Sequence, residues 1–180
     1  MSVNCTDVDV PIAGAGSVGL ALAVELGQRR IHCLVVERND RVGYSSRAKT
    51  TNVRTREHAR RWGFSEVLHC ASPMAPDYPS DWISVTRMSG PQLARFKSAF
   101  NTSRARNNLH WEKAQWVPQY ILEDVIRQHA SLLPGVKILF NTELVSFIEA
   151  TDNLSAEVKD LTCGETRQVE RACSLHIDQK

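Results

Sequence analysis

Apolar runs in the first forty residues predict a strand, a helix and a second strand. Residues 7–13 form a short, mostly apolar run, and residues 17–29 carry an alanine- and leucine-rich helical pattern. Residues 32–37 predict the second strand; its run Cys-Leu-Val-Val is apolar without alternation, which is typical of a parallel strand covered on both faces. Pro11 removes a ladder donor from the first strand, so we expect that strand to be distorted or its pairing to begin after Pro11.

The rest of the chain predicts a mixture of helices and antiparallel strands. Gly63 and the Pro-Gly pair at 134–135 are placed as helix stops, and three prolines predict a loop over residues 70–81. A strand–helix–strand start followed by hairpins predicts an α/β fold with an antiparallel insertion. The predicted elements are helices over 51–62 and 118–133, a hairpin over 82–96 that turns near Ser89-Gly90, and strands in VKILF, ELVSFIEA and LSAEVKDL.

The composition is that of an ordinary globular chain. The 180 residues are 42% apolar and 23% charged, with a net charge of +2, so nothing global indicates a nucleic-acid or anionic-membrane partner. No run approaches the roughly 20 apolar residues of a membrane helix, and the first ten residues lack the apolar region of a signal peptide. The five cysteines are scattered and odd in number, which predicts reduced thiols and a cytoplasmic location.

Three glycines, Gly14, Gly16 and Gly19, lie between the first predicted strand and the first predicted helix. A helix N-terminus presents unpaired N–H groups and a partial positive charge, which attract phosphate. In such a turn Gly14 permits the tight bend, Gly16 lets the backbone approach a pyrophosphate, and Gly19 lets the helix pack closely on the strand. The strand-to-helix context favours a dinucleotide site, although such glycines can also serve packing alone.

Glu37 ends the second predicted strand and supplies an acid where a dinucleotide site needs one. At that position its carboxylate can accept hydrogen bonds from both hydroxyls of an adenosine ribose. Its charge would repel a 2′-phosphate, so NADP is disfavoured at this site. The alternative is that Glu37 only terminates a buried strand. The strand–helix–strand unit leaves open whether the cofactor is NAD or FAD.

Three further segments resemble the aromatic-ring hydroxylases, the FAD-dependent monooxygenases typified by phenol and p-hydroxybenzoate hydroxylases. These are SSRAKTTNVRTREHARRWGF (45–64) after VVER, SGPQLARF (89–96) and VPQYILEDVIRQHA (117–130). The resemblance runs from about residue 7 to about residue 170. It implies a Rossmann-like FAD-binding fold of the glutathione-reductase type, and a monooxygenase that uses NAD(P)H and O₂ to hydroxylate a phenol-like ring.

The resemblance also implies roles for particular residues. Arg47 is a multi-donor cation suited to phosphate, with an exposed loop cation as the alternative. Gln119 offers a donor and an acceptor to ribityl hydroxyls, with a helix-capping or surface role as the alternative. Neither a catalytic residue nor a metal site is identified. The implied cofactor contacts are the pyrophosphate with Gly14, Ala15, Gly16, Ser17, Val18 and Gly19, the adenosine with Glu37 and Arg38, the pyrophosphate or ribityl with Arg47, and the flavin side with Ala48 and Gln119.

Two motifs usual in this family, an Asp-Gly motif and a later GDAAH motif, are absent from the sequence. We therefore predict a truncated chain: residues 1–180 as an N-terminal FAD-binding domain, with 80–115 as a partial substrate-domain-like insertion and the remaining architecture missing. Two alternatives stay open. One is a non-catalytic FAD- or nucleotide-binding remnant, and the other is an NAD-binding dehydrogenase half.

Two side-chain groups bear on partners. Six basic residues within 47–61 predict a solvated helix face with one phosphate contact, since no aromatic residues are interleaved as in nucleic-acid-binding segments. Trp111 and Trp116 are candidates to line an aromatic substrate pocket, although such residues more often serve packing. The expected partner is a small aromatic substrate, with neither nucleic acid nor membrane involved, and the oligomeric state stays open.

Overall fold

The computed structural model describes residues 8–40, 47–75, 78–100, 102, 108–150 and 153–172. The chain divides into two compact units, one made of residues 1–44 and 126–180 and the other of residues 45–125. Within the described residues the elements are β1 (Val10–Ala13), α1 (Ser17–Gln28), β2 (Cys33–Val36), β3 (Thr50–Thr51), α2 (Val53–Trp62), α3 (Ser65–Ala71), β4 (Trp82–Val85), β5 (Gln92–Phe96), β6 (Gln115–Trp116), α4 (Gln119–Ser131), β7 (Val136–Leu139), β8 (Thr142–Ala150), β9 (Asn153–Asp160) and β10 (Thr166–Ala172).

A parallel sheet in the order β1-β2-β7 lies at the centre of the first unit. β2 pairs in register with β1 on one side and with β7 on the other. All four residues of β2 are buried, which confirms the prediction of a parallel strand covered on both faces. Together with the antiparallel strands described below, this sheet confirms the predicted α/β fold.

Pro11 lies within the paired part of β1, so the expectation that pairing begins after Pro11 is wrong. The backbone amides of Val10 and Gly14 donate to the carbonyls of His32 and Val36 over 3.1 and 2.8 Å. Successive residues of a strand direct their N–H groups to opposite edges, so the nitrogen of Pro11 faces away from β2. The N–H that proline lacks is therefore not needed by the ladder between β1 and β2.

The two faces of the parallel sheet pack against different layers. Leu34 and Val36 of β2 belong to one core cluster with Ala156, Val158 and Val169. The last three residues come from the antiparallel sheet β10-β9-β8, so this sheet covers one face. α1 contacts β1, β2 and β7, and alternation along β2 directs its other two residues to the helix side. The chain thereby builds a three-layer unit with β2 in the middle.

The second unit consists of the helices α2 and α3 and two small antiparallel pairs, β3 with β6 and β4 with β5. The side chain of Asn52 caps α2 by accepting a hydrogen bond from the amide of Thr55 over 2.8 Å. α2 ends at Gly63, whose φ of 92° lies in the left-handed region that favours glycine, which confirms the predicted helix stop. The β4–β5 pair confirms the predicted hairpin over 82–96.

Several elements were not predicted from the sequence. α3 has only seven residues, and β3 and β6 have two each, so none is long enough to show a periodic pattern. Thr51, placed in a helix by the sequence, lies in β3 because Asn52 begins the helix one residue later. β10 was also missed. Across the described ranges, no helix combines the length and the apolar character needed to cross a membrane.

Candidate cofactor site

The turn between β1 and α1 favours glycine at two positions, at Gly14 for its backbone conformation and at Gly19 for the space that it leaves. Gly14 follows β1 with a φ of 99°, a conformation that favours glycine. A Cβ added to Gly19 would collide with the carbonyl oxygen of Gly14 and would lie 3.3 Å from Cγ2 of Ile12. Gly19 therefore permits α1 to begin directly against the end of β1.

α1 begins in this turn, and the partial positive charge of its N-terminus would favour an anion there. Gly16 is the N-cap residue of α1. Its backbone is extended (φ −77°, ψ −179°), a conformation that any residue can adopt. Glycine would therefore be needed at this position only for the space that the absence of a side chain leaves. Ser17 and Val18 follow in the first helical turn, and 84% of Val18 is exposed. The first turn contains no acidic side chain, so the helix does not neutralise its own partial positive charge. A diphosphate fits this helix start.

Glu37 lies beside the same turn. The amide of Ala15, which is 4% exposed, donates to Oε2 of Glu37 over 2.8 Å. The backbone of Glu37 is anchored as well, because its amide donates to the carbonyl of Leu139 over 2.8 Å. The structure therefore brings together the glycine turn and the acid, the two parts that the sequence predicted as the diphosphate and ribose contacts.

Hydrogen bonds favour the ionised form of Glu37. Burial by itself raises the pKa of this carboxyl, but hydrogen bonds from Asn39 and Ala15 and the charge of Arg38 outweigh it, so the pKa lies below its usual value. Oε1 accepts from the backbone N of Asn39 over 3.0 Å and from its side-chain Nδ2 over 2.6 Å. The sequence did not point to Asn39, because no spacing rule identifies an asparagine two residues after a glutamate as the donor to its carboxylate.

The two cations implied by the resemblance, Arg38 and Arg47, are both exposed. Arg38 follows Glu37 in the first unit. Arg47 belongs to the second unit, where it precedes β3. The exposure of Arg47 fits a phosphate ligand and a simple loop cation equally well, so its predicted cofactor contact stays a prediction.

Ala48 and Gln119, far apart in the sequence, are neighbours in the second unit. The amide of Gln119 donates to the carbonyl of Ala48 over 2.9 Å, next to a hydrogen bond from Val117 N to Lys49 O. These bonds extend the β3–β6 pair to the start of α4. The side-chain Nε2 of Gln119 donates to Oε1 of Glu123 over 2.8 Å. The predicted flavin-side pair is thus brought together by the backbone.

The basic residues of α2 do not share one solvated face. Arg56 is only 4% exposed, and its Nη2 donates to Oε2 of Glu112 over 3.0 Å. Its Nη1 donates to the carbonyl of Ser65 over 3.0 Å, and the hydroxyl of Ser65 donates to Oε1 of Glu112 over 2.6 Å. The prediction of a solvated face is therefore wrong for Arg56, because a carboxylate from outside the helix neutralises it in the interior of the unit.

A cleft of about 330 Å³ lies beside this ion pair, and its lining includes Arg56, His69 and Trp111. Trp116, in contrast, packs edge-on against Tyr78 and Phe100, with ring centroids 6.0 Å apart in both pairs. The two tryptophans predicted as a pocket pair therefore have different surroundings.

Among the residues with described positions, no group of three His, Cys, Asp or Glu side chains could hold a metal ion.

The sequence matches a family model described as an FAD binding domain over residues 7–172. Among curated proteins, the chain is 30% identical over 166 residues to a 4-methyl-5-nitrocatechol 5-monooxygenase from a Burkholderia species, covering 91% of this chain and 30% of that protein. It is 32% identical over 150 residues to a 6-methylpretetramide 4-monooxygenase from Streptomyces rimosus, covering 83% of this chain and 25% of that protein.

A solved structure shows the same fold. The substrate-free form of the rebeccamycin biosynthetic enzyme REBC superposes with a TM-score of 0.80 at 31% identity, covering 92% of this chain and 32% of that one. The chain therefore spans about a third or less of the length of these relatives. The residues matched by the FAD binding domain family, 7–172, contain the whole β1–α1–β2 unit and the segments that carry Ala48 and Gln119.

Proposed function

We propose that this chain, which belongs to the FAD binding domain family, is the FAD-binding portion of a flavin-dependent monooxygenase that hydroxylates a phenol-like aromatic ring. One observation carries the proposal: the amide of Ala15 donates to Glu37, which places an ionised carboxylate beside the glycine turn at the start of α1. This arrangement matches a diphosphate followed by an adenosine ribose. Family membership decides for FAD over NAD.

In the first unit, the proposed cofactor contacts lie at the start of α1 and after the end of β2. The backbone from Gly14 to Gly19 would hold the diphosphate, and Glu37 with Arg38 would contact the adenosine. On the flavin side we assign Arg47, Ala48 and Gln119, and the hydrogen bond between the last two supports treating them as one local structure. Glu37 would also discriminate against a phosphate on the ribose, because two anions would then face each other in a partly buried place.

When bound, the flavin would supply electron transfer and oxygen activation, whereas the protein supplies binding, orientation and electrostatics. The start of α1 contributes donors and a partial positive charge to the diphosphate. Glu37 contributes an acceptor that is already oriented by two backbone amides, so little freedom would be lost on binding. No proton-transfer step is assigned to a residue of this chain.

The proposed substrate and reductant rest on the relatives. The names of two relatives give their substrates as a nitrocatechol, which is a hydroxylated aromatic ring, and a pretetramide. We therefore propose a small phenol-like substrate, with NAD(P)H as the electron donor and O₂ as the oxidant. Because this donor is an intracellular metabolite, we place the reaction in the cytoplasm. The cysteines agree with this location, since they are scattered and odd in number.

The test begins with binding. The purified 180-residue chain is titrated with FAD while flavin fluorescence and absorbance are recorded, and NADH or NADPH oxidation is then followed with and without phenol. We expect saturable quenching, which Glu37→Gln weakens by about tenfold or more, the scale of one charge-assisted hydrogen bond. Glu143→Gln on β8 is the matched control, because it removes one exposed carboxylate from the same unit.

The outcomes separate the parts of the proposal. FAD binding that depends on Glu37 and is accompanied by phenol-stimulated NAD(P)H oxidation supports the full proposal. Binding without oxidation would reject monooxygenase activity for this chain and favour a nucleotide-binding module. An absence of saturable FAD binding, or equal effects of the two Gln substitutions, would reject the assigned site.

A further inference from the structure

The carboxylate of Glu37 has little acceptor capacity left for a ribose. A carboxylate offers about four lone-pair sites, two on each oxygen. Oε1 accepts from both the backbone N and the side-chain Nδ2 of Asn39, over 3.0 and 2.6 Å. Oε2 accepts from Ala15 N over 2.8 Å. Counting the hydrogen bonds made by described residues, Oε1 is filled and Oε2 keeps one site.

The turn that carries Asn39 is fixed to the rest of the first unit. The carbonyl of Glu37 accepts from the amide of Thr142 over 2.9 Å, and the carbonyl of Asn39 accepts from the amide of Asn141 over 3.0 Å. These two bonds attach the turn to the connection between β7 and β8. Asparagine has a short side chain with few rotamers, so holding its Nδ2 on Oε1 costs little conformational entropy once the backbone is fixed.

We propose that Asn39 restricts Glu37 to a single hydroxyl of the adenosine ribose. The proposal rests on the proposed function, since it takes Glu37 as the ribose contact of the FAD site. A carboxylate that accepted no bond from the Asn39 side chain could accept hydrogen bonds from both ribose hydroxyls, one on each oxygen. In this chain the second hydroxyl would have to displace the side-chain amide of Asn39, which is bound to the oxygen that the hydroxyl needs.

The restriction depends on the side chain of Asn39 rather than on its backbone. Asn39→Ala keeps the amide that donates to Oε1 over 3.0 Å, and it leaves the bond from Ala15 to Oε2 unchanged. The carboxylate therefore stays oriented, while one lone-pair site on Oε1 becomes available. We expect this variant to bind both ribose hydroxyls, so its specificity changes while its fold is retained.

The experiment compares ADP with 2′-deoxy-ADP and 3′-deoxy-ADP by calorimetric titration of the full chain. For the unsubstituted protein we expect one deoxy analogue to bind within twofold of ADP and the other about tenfold more weakly, the scale of one charge-assisted hydrogen bond. For Asn39→Ala we expect both analogues to bind at least fivefold more weakly than ADP. Asn108→Ala, at an exposed asparagine of the second unit, should keep the pattern of the unsubstituted protein.

Different results overturn different statements. If the unsubstituted protein binds both deoxy analogues equally more weakly than ADP, or binds neither more weakly, the restriction to a single hydroxyl is overturned. In that case, ADP binding that depends on Glu37 still supports the proposed site. An Asn39→Ala variant that keeps the single-hydroxyl pattern also overturns the restriction. If ADP does not bind, or binds equally well to Glu37→Gln, the proposed function fails and the inference fails with it.

Discussion

The amide nitrogen of Ala15 lies 2.8 Å from Oε2 of Glu37 and donates a hydrogen bond to it, although the two residues are 22 positions apart. The donor is a backbone group, so a substitution at position 15 keeps this N–H unless the new residue is proline. The bond joins the turn that starts α1 to the end of β2. It thereby fixes the geometry between the predicted diphosphate contact and the predicted ribose contact before a cofactor binds.

The first prediction concerns pH. The pKa of Glu37 is lower in the folded chain than its ordinary value of 4.5, so the ionised carboxylate stabilises the fold. This contribution is complete well above pH 4.5 and is lost as the pH falls from there through the lower folded pKa. Urea denaturation at a series of pH values should show Glu37→Gln less stable than the unsubstituted chain at neutral pH, with the difference shrinking in acid.

The same substitution at the exposed Glu143 controls for the loss of one acidic side chain. A stability difference for Glu37→Gln that stays constant with pH, or that grows in acid, would contradict the assignment of Glu37 as a hydrogen-bonded anion.

The second prediction concerns the glycine turn. Gly19→Ala places a methyl group against the carbonyl oxygen of Gly14, and backbone cannot yield as a flexible side chain does. We expect a loss of about 1–3 kcal/mol in the free energy of unfolding, as for overpacked sites, together with weakened FAD binding. Val18→Ala is the neighbouring control, since Val18 is 84% exposed and should change stability by less than about 0.5 kcal/mol. Equal stabilities of the two variants would refute the close approach of α1 to β1.

The third prediction concerns the buried ion pair of the second unit. Glu112→Ala leaves the guanidinium of Arg56, whose side chain is 5% exposed, without its carboxylate, so we expect a loss of about 3–5 kcal/mol. The double variant Arg56→Met with Glu112→Leu should recover most of this loss, because no unpaired charge then remains buried.

The control for these two variants is Arg60→Ala, which removes an exposed ion pair with Glu57 and should cost less than about 1 kcal/mol. Chemical denaturation measures all four proteins. If the double variant is as unstable as Glu112→Ala, the loss of stability in Glu112→Ala does not come from leaving the Arg56 guanidinium buried without its carboxylate.

The fourth prediction concerns Pro11. Its nitrogen faces away from β2, so Pro11→Ala should leave the ladder intact and change stability by about 1 kcal/mol or less. The next residue, Ile12, has its amide on the β2 side, so Ile12→Pro should destabilise the chain by clearly more than Ile12→Ala, which removes the same buried side chain. Amide hydrogen exchange of β2 would locate the damage. Equal effects of the two Ile12 variants would contradict the alternation of donors along β1.

Several features could be predicted from the sequence because they rest on local physical rules. The uninterrupted apolar run of β2, the strand–helix order and the glycine that ends α2 each follow from burial and backbone conformation within a few residues. Elements too short to show a period, such as α3 and β3, could not be found in this way. Pro11 was misjudged because the direction of its nitrogen depends on which edge of β1 is paired.

The features of the candidate site also fall into two groups, those that the sequence predicted and those that depend on the tertiary structure. The sequence by itself determined the glycine turn, the acid after β2 and the membership of the family, because these are matters of residue type at fixed spacing. Only the tertiary structure decided that Asn39 fills one oxygen of Glu37, that Arg56 is neutralised by Glu112 in the interior, and that Gln119 bonds to Ala48. Each of these joins groups whose hydrogen-bond partners are chosen by packing and backbone direction, which residue spacing does not specify.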